Sequence, residues 1–167
     1  MNEKPTNVSS PTNDSLWQRV EDSNLDPKTL LATDYLNHFN EIVMLLEMVP
    51  DMPDMLEDGK AWKPKSYKDH FRDSTIADRA LAIEAYDHVP ALYREPFEQT
   101  VAQINATIAS AIRRIEADME AGDLDILREN TLSLCRILQR LMETASAIIH
   151  GSAKTLDQAE INLLLGE

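Results

Sequence analysis

Cysteine is almost missing from this chain: the single Cys135 among 167 residues excludes an intramolecular disulfide, so the fold has to be held by a buried core. Glycine is nearly as scarce, with four in all, which leaves little room for a phosphate-cradling loop or a nucleophile elbow. Long apolar runs are absent too. The longest strongly apolar stretch is Ile42-Val-Met-Leu-Leu46, and the first residues carry no leader-like apolar segment. Basic residues are outnumbered 29 to 16, and a formal charge of -13 repels phosphate backbones and anionic lipid heads. These absences predict a cytoplasmic protein with no nucleic-acid partner, no membrane partner and no cofactor. A basic partner face, or one approached through apolar contacts, fits better.

What is present is helical periodicity. Residues 1–25 are rich in Asn, Ser, Thr, Pro and Asp and read as a mostly disordered arm, with Leu16, Trp17 and Val20 as the one cluster able to dock. Asp26-Pro27 has the form of a helix start, followed by Leu31, Tyr35, Phe39, Ile42, Leu45, Leu46 and Val49 at helical spacing up to Pro50 and Pro53. Residues 50–73 are irregular, with room for a short helix after Pro53. Their Trp62, Tyr67 and Phe71 predict packing against the body rather than a solvated linker. Asp73 or Ser74 is suited to cap a further helix running to Pro90.

The signal is clearest from Pro96 onward. Phe97, Val101, Ile104, Ile108, Ala111 and Ile115 form one stripe, Gly122-Asp123 reads as a C′ glycine followed by an N-cap, and Leu124, Leu127, Thr131, Leu134, Leu138, Leu141, Ala145 and Ile148 form a second stripe. Together they predict a long antiparallel hairpin. The second stripe is broadened by Ile126, Leu132, Cys135, Ile137, Met142 and Ile149, which need cover from the earlier helices or from a second copy in a homodimer through the hairpin. The expectation is an all-α helical bundle over residues 26–151, built on that hairpin, with a C-terminal amphipathic helix over residues 152–167.

That last helix opens on a capping box, Thr155-Leu-Asp-Gln158, with Asp157 and Glu160 near its positive end and Leu156, Ile161, Leu164 and Leu165 as apolar anchors. The string Leu156-Asp-Gln-Ala-Glu-Ile-Asn-Leu-Leu-Leu165 resembles the segment with which the flagellar switch protein FliM binds the phosphorylated chemotaxis receiver CheY. Gln158, Glu160, Ile161, Leu164 and Leu165 match that pattern, while Asn162 stands where the family usually has Asp. The chemotaxis phosphatase CheZ carries a comparable tail helix behind a long helical hairpin. The resemblance implies an adaptor that binds a receiver-domain protein through Leu156, Asp157, Gln158, Glu160, Ile161, Leu164 and Leu165. It covers about ten residues, so a structural bundle with unrelated partners stands beside it.

Were the CheZ resemblance to extend to catalysis, it would imply an acid and, one turn later, a glutamine orienting water against an aspartyl phosphate. Glu95 and Gln99 are the nearest match on the hairpin, although Glu replaces Asp and Pro96 intervenes. Asp34, His38 and Glu41 have a spacing able to ligate a metal, against the commoner reading of a hydrogen-bonded histidine beside solvated acids. His150-Gly-Ser-Ala-Lys154 loosely echoes a phosphotransfer histidine. Met44, Met48, Met52 and Met55 are read as core filling, with an adaptable binding surface as the alternative.

Overall fold

The computed structural model describes residues 11–152, 161–163 and 166, and among them every regular element is helical. The order is α1 (Pro11–Glu21), a 3-10 turn (Thr33–Leu36), α2 (Asn37–Met48), α3 (Met55–Ala61), α4 (Tyr67–Arg72), α5 (Arg79–Tyr86), α6 (Ala91–Ala121) and α7 (Leu124–Ile149).

The expected arm carries α1, and two of the three residues singled out there as able to dock are buried. Leu16 and Val20 join the core while Trp17 stays exposed. α1 lies against α5, where Arg19 pairs with Glu84 at 2.9 Å and the Asn24 amide donates to Asp78 at 3.2 Å. Apolar residues four apart supply one buried face, so packing begins well before residue 26.

α6 and α7 form the hairpin, about 46 and 39 Å long at 1.5 Å per residue. Gly122 takes φ +80°, a left-handed cap that costs a residue with a Cβ more than it costs glycine. Asp123 then accepts from the amides of Asp125 and Ile126 as N-cap of α7. Tyr93, Phe97, Thr100, Ile104, Ile108, Ala111 and Ile115 line the buried side of α6. Cys135, Ile137, Met142 and Ile149 are buried as well, with α2 and the 3-10 turn packed on α7. Cover for the broad stripe therefore comes from within the protomer, and only Ile126 and Leu132 of the extra apolar set stay exposed.

Three helix starts differ from the sequence expectation. Asp26-Pro27 begins a turn, not a helix: the Asp26 carboxylate accepts from the amides of Lys28 and Thr29, and the Asp26 amide donates to the Leu31 carbonyl. Leu30 takes φ +64°, which stops helical propagation until the 3-10 turn. The helix expected from Asp73 or Ser74 starts at Arg79, because the Ser74 hydroxyl donates back to the Phe71 carbonyl and Arg79 donates to the Ser74 carbonyl. α6 starts at Ala91 and runs through Pro96. The one bond Pro96 forfeits is to the carbonyl of Leu92, a residue exposed to solvent.

The aromatic segment packs as expected. It is strapped to the 3-10 turn and the start of α2 by hydrogen bonds from Tyr35 to the Lys65 carbonyl (2.6 Å), from the Ala32 amide to the Tyr67 hydroxyl (2.9 Å), from His38 Nε2 to the Lys63 carbonyl (2.9 Å) and from Trp62 Nε1 to the His38 carbonyl (3.1 Å). Tyr67 and Phe71 are buried, and Trp62 stacks on His38 with ring centroids 4.6 Å apart.

Candidate functional site

Helix α7 ends in a tightly specified turn at Gly151 and Ser152. The Gly151 amide donates to the Ile148 carbonyl and the Ser152 amide to the Ala147 carbonyl, both at 2.9 Å, with Gly151 at φ +109°. This is the Schellman pattern, which ends a helix and reverses the chain. The Asp26–Thr29 turn bolts onto it. The buried Thr29 hydroxyl donates to the Ile149 carbonyl at 2.6 Å, and Lys28 Nζ lies 3.5 Å from the Gly151 carbonyl and 5.6 Å from the centre of the Tyr93 ring. Thr29 and Lys28 escaped notice in the sequence because their partners lie some 120 residues away. Gly151 after Ile148-Ile149-His150 was the local signal available.

Of the seven residues assigned to receiver binding, Ile161 alone falls within the described set. Leu156, Asp157, Gln158, Glu160, Leu164 and Leu165 lie outside it. Ile161 is 5% exposed and belongs to the bundle's own core, whereas Leu163, two residues on in the same helical stretch, is 77% exposed. An anchor expected to face a partner is thus seated on its own protomer.

Glu95 and Gln99 are both exposed and lie one turn apart on α6. Continuity of α6 through Pro96 removes the interruption that the sequence suggested. They also sit near Tyr93, hence at the end of the bundle where the chain emerges from α7. The candidate metal set does not assemble: among the described residues no group of three or more His, Cys, Asp and Glu side chains is placed to hold an ion. His38 is buried with its Nε2 committed to the Lys63 carbonyl, Asp34 belongs to the preceding 3-10 turn, and Glu41 faces solvent. His150 is the exposed C-cap of α7, with Nδ1 3.8 Å from Asp26.

Burial disfavours the charged forms of the two inward-facing histidines. It lowers the His38 pKa, with the Lys63 carbonyl and Glu41 opposing and His70 and Lys65 reinforcing. His70 is lowered for the same first reason, opposed by the Asp34 carbonyl. Its Nε2 is buried without a hydrogen-bond partner among the described residues. The Cys135 thiol is pushed up to about 12 by burial, which makes it a packing group rather than a nucleophile.

The methionines depart from the sequence reading. Met44, Met48 and Met52 are exposed at 61%, 37% and 52%, while Met55 is partly buried against the core. Met44, Met48 and Met52 rim a shallow groove of about 310 Å³ with Glu47 and Asp51. Arg128 bridges from α7 to Asp51 at 2.7 Å, holding the Asp51 carboxyl below the usual carboxylate range, and Gln139 donates to Glu47 at 3.0 Å.

No family model, curated protein or solved structure matches the chain. The functional reading therefore rests on the chain's own residues and their placement.

Proposed function

We propose that this chain is a non-enzymatic helical adaptor that engages a receiver-type response regulator through its C-terminal segment, in chemotaxis or motility signalling, and that the free protein holds this segment on its own bundle. The resemblance of Leu156–Leu165 to receiver-docking helices supports the partner. The burial of Ile161 supports the held state, and it is the observation on which the proposal turns. An isoleucine needed by both surfaces makes bundle and receiver competitors. Removing it from the core costs about 1.5–3 kcal/mol, so the intact chain binds a receiver roughly 10- to 100-fold more weakly than the free segment.

Anisotropy titration tests this with a labelled peptide of residues 152–167 and with the full chain as competitor, against phosphorylated and unphosphorylated CheY-type receivers. Preferential binding of the peptide to the phosphorylated form, with the full chain weaker by the stated factor, is the expected outcome. Absence of peptide binding to any receiver ends the adaptor reading. Equal affinity of peptide and full chain ends the held-segment part alone.

The same burial favours a second reading, in which the segment only caps the bundle. A CheZ-like phosphatase draws support from the shared exposed face of Glu95 and Gln99 near the chain's exit from α7. Faster loss of receiver phosphate on adding the full chain, abolished by Gln99→Ala, is the result that selects it.

A further inference from the structure

The exposed side of α2 remains outside this reading. Met44 and Met48 share one face of α2, and Met52, just past the helix with its amide donating to the Met48 carbonyl at 2.8 Å, extends them into a thioether ridge around one groove. On the α7 side of the Asp51–Arg128 bridge lies a second, mostly charged groove of about 350 Å³, lined by Arg128 and Arg136 and by the exposed Leu132. Unbranched thioethers left in solvent repack at little cost against apolar partners of varied shape. The segment that carries the ridge is acidic, and Arg128, reaching Asp51 from α7, is a cation paired to it. Seven carboxylates and no Lys or Arg occur between Thr29 and Gly59, and Glu41, Glu47, Asp51 and Asp54 border the methionines.

We infer that the α2 methionine ridge is a docking surface for a basic amphipathic helix of a partner protein, its apolar side on Met44, Met48 and Met52 and its Lys or Arg side chains toward Glu41, Glu47 and Asp54. A helix laid on a groove buries a stripe at the same three-to-four residue spacing that the methionines present. Opposite charge steers the approach. A second copy of this chain is disfavoured as the occupant, because a two-fold contact sets the same patch against itself and brings these carboxylates together. Anionic polymers and anionic lipid surfaces are repelled for the same reason.

The test uses the full chain with ¹³C-methyl methionine and two synthetic amphipathic helices of identical leucine pattern, one with lysine and one with glutamate on the polar face. The expected result is movement of the Met44, Met48 and Met52 methyl signals on adding the lysine peptide, with the buried Met142 unchanged and no effect from the glutamate peptide. Met44→Ser with Met52→Ser should weaken binding roughly tenfold or more at an unchanged melting temperature, since both residues are more than half exposed. Unmoved ridge methyls at millimolar lysine peptide overturn the inference. So do equal responses to both peptides, or undiminished affinity of the double variant.

Discussion

Replacing Gly151 with alanine probes the exit from α7, and Gly122→Ala supplies its control. Both glycines hold left-handed backbone, φ +109° and +80°, and an alanine there costs about 1–2 kcal/mol. The two sites differ in what a new Cβ meets. At Gly122 nothing lies within 4 Å, whereas at Gly151 the methyl falls 3.0 Å from Lys28 Cδ and 3.1 Å from its Nζ. Lys28 must then swing away and give up its place over Tyr93, a cation-π contact worth about 0.5–1 kcal/mol at an exposed site. Gly151→Ala should therefore destabilise by about 1.5–3 kcal/mol and Gly122→Ala by about 1–2. The gap is readable in urea unfolding, and in heat denaturation at about 2–4 °C per kcal/mol for a chain of this size. Adding Lys28→Ala to both variants should erase the excess at Gly151 and leave Gly122 unchanged, a coupling that a double-mutant cycle isolates. A Gly151→Ala loss no larger than that of Gly122→Ala, or an excess that survives removal of the lysine side chain, refutes this account of the exit.

The Thr131 hydroxyl is fully buried on α7 without a hydrogen-bond partner among the described residues, so Thr131→Val should raise the unfolding free energy by about 1 kcal/mol in urea titrations; a loss contradicts this. His38 and His70 resist protonation when folded, so the unfolded chain binds more protons once the pH falls through about 6.5. Stability from this source is complete above that pH and drains away below it, toward the depressed folded values. Melting temperature should fall from pH 7.5 to about 5.5, and less steeply in His70→Phe; parallel slopes would falsify the assignment. Cys135 should ignore a thiol-reactive dye at pH 8 in the native protein and react at once in guanidinium.

Where the sequence carried its structural instruction locally, the fold could be read from it. Gly122-Asp123 encodes both the left-handed cap and the next N-cap within two residues, and the hairpin follows. Trp62, Tyr67 and Phe71 signalled burial by their mere presence in an irregular stretch. Asp26-Pro27 misled because its carboxylate serves a turn as readily as a helix start. The choice is decided by the distant bond from Thr29 to Ile149 and by the left-handed Leu30, neither of which leaves a trace in local periodicity. Met44, Met48 and Met52 looked like core because helical spacing reports that side chains share a face, not which face the bundle covers. The candidate site was legible only as a motif: the string around Ile161 could be spotted, but nothing in it said that Ile161 would be seated in its own core.

The unfolding free energy of Ile161→Ala, with Leu163→Ala alongside, decides whether Ile161 is held on the bundle. A docked isoleucine emptied to alanine should cost about 2–4 kcal/mol, while the exposed leucine should change stability by less than about 0.5. If Ile161→Ala is as silent as Leu163→Ala, the segment is not held on the bundle, and the competition between core and receiver does not exist.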